Sequence, residues 1–139
     1  GYKLDYPFIH LFNGALLPTN SVRAVGNVDT SYCIYGEELD YLYRLRKIGA
    51  IRSILDAKHY HPDVSARPLS SFKLYHYVRN TIVINYRYLD CSFIRSVFTV
   101  ILGSSRALSR NGIKEFFRDN FKLSLIAVRD AIHILNAKD

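Results

Sequence analysis

Hydrophobic and polar positions change rhythm partway along the chain. From Pro7 to about Pro68, short apolar runs alternate with turn residues; from Ser70 onward, apolar residues recur every three or four positions. In the first region, Phe8–Pro18 (FIHLFNGALLP) carries strand-forming residues around Asn13-Gly14, which predicts a strand with a turn or bulge. Thr19–Gly26 (TNSVRAVG) places a polar cap and a glycine stop around one or two helical turns. Gly36–Gly49 (GEELDYLYRLRKIG) is the clearest helix of this half. Its Leu39, Leu42, Tyr43, Leu45 and Ile48 recur at helical spacing, and Gly49 ends it. Glu37, Glu38 and Asp40 crowd its first turn while Arg44, Arg46 and Lys47 crowd its last, as the helix dipole favours. Ile51–His61 then reads as a strand carrying His59 and His61.

The second region predicts three helices. Ser70–Leu89 opens on a serine cap and contains no Gly or Pro. Ser92–Arg110 is a very apolar second helix, and Asn111-Gly112 breaks the chain after it. In Ile113–Leu135, Phe117, Phe121, Leu125, Val128, Ile132 and Leu135 follow the helical period. The pattern as a whole predicts an α/β unit over residues 1–68 and a helical region over 69–139.

Composition narrows the class. A chain of 139 residues is long enough for one sizeable core, and 49% hydrophobic residues exclude a disordered tail. Cys33 and Cys91 are too few for a disulfide framework and read as reduced thiols, which points to a cytoplasmic protein. The most apolar stretch, Phe93–Leu102, is broken by Arg95 and is too short to span a bilayer. Charge is unevenly placed. Acidic and basic residues balance over 1–66, so the whole net charge of +7 lies in 67–139. That asymmetry suits an anionic partner (a phosphate-bearing ligand, lipid headgroups or nucleic acid) or a solvated basic face with no partner at all.

Single features are weak pointers to chemistry. Acidic residues in a first helical turn most often only cap the helix, and a lone histidine is more often structural than a ligand. Their order along the chain is more specific. The segment from Phe12 to Ser65 resembles the second half of the catalytic domain of family 2 glycosyltransferases. The matching pieces are the small-residue segment Asn13-Gly14-Ala15-Leu16-Leu17, then Val25-Gly26-Asn27-Val28-Asp29, then Glu37-Glu38-Leu39-Asp40 with Arg44, and finally Gly49, Ile54, Ala57 and His61. Tyr75–Asn80 (YHYVRN) looks like the helix that often follows in bacterial rhamnosyl- and galactofuranosyltransferases.

The resemblance implies a partial GT-A fold, the acceptor-side half of an inverting enzyme that makes bacterial cell-surface polysaccharide. It places Glu38 as the base that deprotonates the acceptor hydroxyl, with Glu in place of the usual Asp, and Glu37 and Asp40 as its supports. Asn13 and Gly14 fall in the acceptor segment. His61 falls at a ligand to a divalent metal, Mg2+ or Mn2+, on the donor diphosphate, and Arg67 in the loop that closes over that diphosphate. The implied partners are a nucleotide-sugar donor and a glycan or lipid-linked acceptor. The nucleotide-binding half would precede residue 1, leaving this chain inactive alone and a sheet edge open to a second copy as a homo-oligomer. The basic helices 69–139 would rest on an anionic membrane surface at the inner face of the plasma membrane.

Two other classes compete. In one, Glu37 and Glu38 only cap a helix and the chain is a non-catalytic interaction or oligomerisation module. In the other, Tyr75, Tyr77, Tyr86 and Tyr88 interleaved with Arg79 and Arg87 bind nucleic acid; no Gly-rich, zinc or RNA-motif signature supports that partner.

Overall fold

The structure of the protein is a computed structural model that describes residues 14–52, 54, 56, 60 and 69–137. Its elements are α1 (Thr19–Val25), a 3-10 turn (Thr30–Tyr32), α2 (Glu37–Arg46), α3 (Ser71–Tyr88), α4 (Ser92–Asn111), α5 (Ile113–Glu115), a π-helical turn (Phe116–Asn120) and α6 (Phe121–Asn136). No strand is present among the described residues. The expected α/β class and partial GT-A architecture are therefore corrected: what is described is helical. The apolar residues expected in strands have another use, because Leu17 and Ile51 pack against the apolar face of α2. A strand needs a ladder partner for its backbone groups, and the described residues of these segments have none; the rest of Phe8–Pro18 and Ile51–His61 lies outside the described residues. Asn13, His59, His61 and Arg67 lie outside the described residues.

The chain divides into two compact units, one formed by 1–31 with 37–63, the other by 32–36 with 64–139. In the first unit, Pro18 leads into α1, and Gly26, at φ 80°, ends it with its N–H on the Val22 carbonyl. The core is Tyr41, Leu42 and Leu45 of α2, joined by Leu17, Val25, Val28, Leu39 and Ile51. After Arg46, the N–H groups of Ile48 and Gly49 close on the Leu45 carbonyl, so the helical turn ends where the glycine stands.

The second unit is built around α3, which packs on both α4 and α6. Ser70 caps α3 by accepting a hydrogen bond from Lys73 N–H at 3.3 Å. Leu74, Val78, Ile82, Val83 and Ile84 are its buried apolar face. Helix α4 approaches through small residues, Ser96, Thr99, Gly103 and Ala107. A Cβ on Gly103 would stand 3.2 Å from Val78 and 3.3 Å from Tyr77, so the close approach depends on the missing side chain. Helix α6 likewise buries Ser124, Ala127 and Ala131. Polar ties hold the seams. Asn111 donates to the Leu69 carbonyl at 2.7 Å and accepts from Leu69 N–H at 3.2 Å, while Tyr75 donates to Asp130 at 2.7 Å.

Candidate functional site

Helix α2 carries three of the carboxylates singled out by the sequence, and the structure gives them different surroundings. Asp40 faces inward, and Arg44, one turn later, donates Nε–H to it at 2.9 Å. That spacing places the two side chains on one face of the helix. The rest of the guanidinium reaches across the unit to the carbonyls of Val25 and Asn27, each at 3.0 Å. One planar fork thus joins the acidic helix to the Val25–Asp29 segment, a task that needs the fixed multi-donor geometry of arginine. Its face also lies over the Tyr41 ring, 5.0 Å from the centroid. Within the segment it holds, Asp29 accepts from Ser31 N–H at 3.0 Å and closes a local turn.

Glu37 and Glu38 lie in the first turn of α2 and are half-buried. The Oε2 atom of Glu37 is buried and has no hydrogen-bond partner. A carboxylate in a first turn is favoured by the unsatisfied N–H groups and the dipole there. Gly14 is exposed and takes φ 92°, a backbone conformation that suits glycine. Among the described residues no three His, Cys, Asp or Glu side chains gather where they could hold a metal.

In the second unit, the segment Tyr32–Gly36 is fixed by a device that sequence reasoning missed. Cys33, Tyr35 and Gly36 take φ of 64°, 59° and 91°. Left-handed backbone at two non-glycine residues is costly and persists only where surrounding contacts impose it. Those contacts come from Asn80, which is 1% exposed. Its side-chain amide donates toward the carbonyls of Tyr32, Ile34 and Tyr35 at 2.7, 2.8 and 2.6 Å. Arg79 in turn donates to the Asn80 carbonyl at 2.7 Å, which fixes the amide's orientation. Gly36 completes the fit, since a Cβ there would meet Asn80 and Tyr32 at 3.0 Å. Tyr32 is gripped at its other end by Arg87, which donates to the phenol oxygen at 2.7 Å.

His76 is buried one turn before Asn80, with its ring edge-on to Phe72 and Tyr75 and its Nδ1 without a partner. Burial lowers its pKa below the ordinary histidine value, the nearby Arg79 charge lowers it further, and a backbone hydrogen bond at Tyr32 opposes both. The Tyr75 phenol is raised, first by burial and then by its bond to Asp130. Asp130 is held below the usual carboxylate range by that bond and by Arg129.

The structure thus brings Asp40 and Arg44 together and places Glu37 and Glu38 beside them on the same short helix. Asn80 lies in the Tyr75–Asn80 motif, but its target carbonyls are 45, 46 and 48 residues away, beyond the reach of a local pattern. Comparison with family models, with curated proteins and with solved structures finds no match to this chain.

Proposed function

We propose that this chain carries the acceptor-side carboxylate site of an inverting glycosyltransferase, with Glu38 as the base. The observation that carries the reading is the Arg44 fork. The two stretches whose order suggested such an enzyme, Val25–Asp29 and Glu37–Arg44, are tied to each other by one side chain. Asp40 then serves as the anchor of that fork, while Glu37 and Glu38, at the helix start, are the carboxylates for chemistry.

In the proposed step, Glu38 accepts the proton of an acceptor hydroxyl as the oxygen attacks the anomeric carbon of the donor sugar. The new glycosidic C–O bond forms as the bond to the diphosphate breaks. The nucleoside diphosphate leaves with the electron pair, and the configuration inverts. General-base assistance of this kind is worth about 10²–10⁴ in rate. The same reading gives His61 to a divalent cation and Arg67 to the donor diphosphate. Donor binding needs more than the motifs present here, so the chain by itself is proposed to be inactive, acting as part of a complete enzyme.

The test is sugar transfer from uridine- and thymidine-diphosphate sugars by this sequence joined to a nucleotide-binding half. Glu38→Gln should lower turnover at least about a hundredfold while leaving donor affinity unchanged. Unchanged turnover in that variant sinks the reading, and helix α2 is then only a capped helix in an interaction module.

A further inference from the structure

Helix α4 is arranged inside out. Its buried positions are Ser96, Thr99, Gly103 and Ala107, all small. Its large apolar residues face outward: Phe93, Ile94, Val97, Phe98, Ile101 and Leu102 are each 43–69% exposed. The hydroxyls of Ser96 and Thr99 donate to carbonyls of the helix itself, Ser92 and Arg95, and each accepts from the Asn85 amide of α3 at 3.4 Å, which satisfies the polar groups of that seam. The six outward residues fall at i, i+1, i+4, i+5, i+8 and i+9, two adjacent rows that make one continuous stripe. Contiguous apolar surface of this kind marks an interaction site.

Charge selects the occupant. Between Ser92 and Lys114 there is no acidic residue, and Arg95, Arg106 and Arg110 are all exposed. At 3.6 residues per turn these three arginines fall within about 60° of one another, along one flank of the stripe. Pairing this face antiparallel with a second copy of itself would bring the basic flanks together. An anionic lipid surface instead complements the charge and takes up the apolar rows. No helix described here is long and apolar enough to cross a membrane. Beyond Leu102 the outward face thins, with Ser105 and Ser109 beside the half-exposed Leu108, so the apolar rows are densest over the first three turns.

We propose that α4 lies in the headgroup–acyl boundary of an anionic bilayer, with Phe93–Leu102 inserted and Arg95, Arg106 and Arg110 on lipid phosphates. The inference gives the membrane contact expected of the basic helices to one face of α4 on the strength of that face's exposure, and its readout involves no sugar transfer.

The chain contains no tryptophan, so Phe98→Trp supplies a single reporter. With vesicles of phosphatidylcholine containing phosphatidylglycerol, its emission should shift to the blue and be quenched by bromine on the lipid acyl chains. Pure phosphatidylcholine vesicles should give much less binding. Arg110→Gln should weaken partitioning about fivefold and raised salt should weaken it further. Phe98→Asp should weaken it at least about tenfold. Since Phe98 is exposed, circular dichroism should report an intact fold in both position-98 variants. No binding to anionic vesicles by a folded chain overturns the proposal. So does a lipid-free dimer that already buries the indole, which would assign the stripe to a second copy.

Discussion

At the scale of single residues, the side chain with most to hold is Asn80. One amide faces three backbone carbonyls of a segment whose conformation is otherwise unfavourable. Buried acceptors that lose their donor cost about 1–3 kcal/mol each. Asn80→Ala should therefore destabilise the protein by about 2–4 kcal/mol in urea unfolding. Asn80→Asp should be no better despite its matching shape, since it sets a carboxylate oxygen against carbonyl oxygens. An aspartate variant as stable as the parent would show that the amide's donors are not what fixes the segment. His76 gives a pH dependence whose sign is definite. Its folded-state pKa is lowered, so the unfolded chain binds the proton more readily. The stability that His76 contributes is present above the ordinary histidine pKa of about 6.5 and is lost as pH falls through it toward the folded value. His76→Gln should flatten the fall in stability between about pH 7 and pH 5, measured as the urea midpoint at each pH.

At the scale of elements, helices were the legible part of the sequence. The α2 helix was marked by its apolar spacing and its charge order, and α3, α4 and the helix after Gly112 by periodicity and breaks. Strands were not, as far as the described residues reach: Leu17 and Ile51, from the two runs read as strands, pack against the apolar face of α2 without a ladder, and tertiary packing outweighs local preference. The role of Arg44 was equally hidden. Its charge at a helix end suited the dipole, but its two carbonyl partners are 17 and 19 residues away in sequence. Arg44→Lys keeps the charge and loses the fork, so it should destabilise the first unit by about 1–2 kcal/mol. Faster amide exchange over Val25–Asp29 should localise the loss. Gly103 is the matching position in α4. Gly103→Leu forces bulk against Val78 and Tyr77 where even a Cβ is tight, and should cost about 2–3 kcal/mol or more. Val97→Ser, on the exposed face, should stay within about 0.5 kcal/mol of the parent.

At the scale of the whole molecule, charge divides along the chain as the order of its residues already shows. The net charge of +7 belongs to the half that holds α3 to α6. The structure adds that α4 turns its large apolar residues outward rather than into that half's core. The acidic residues with a chemical reading lie instead on α2, in the first unit. Legibility fell short of the site for a definite reason: the spacing of Glu37, Glu38, Asp40 and Arg44 told which residues share a helix face, while the reach of Arg44 to the carbonyls of Val25 and Asn27 is long-range. Glu38 as a base at an acceptor site is tested by an amide-shift NMR titration of this chain with an oligosaccharide acceptor. Saturable shifts centred on Gly36–Asp40 are expected, lost in Glu38→Gln and retained in Lys114→Gln. Shifts that avoid α2 altogether, or that persist unchanged in Glu38→Gln, would contradict that role.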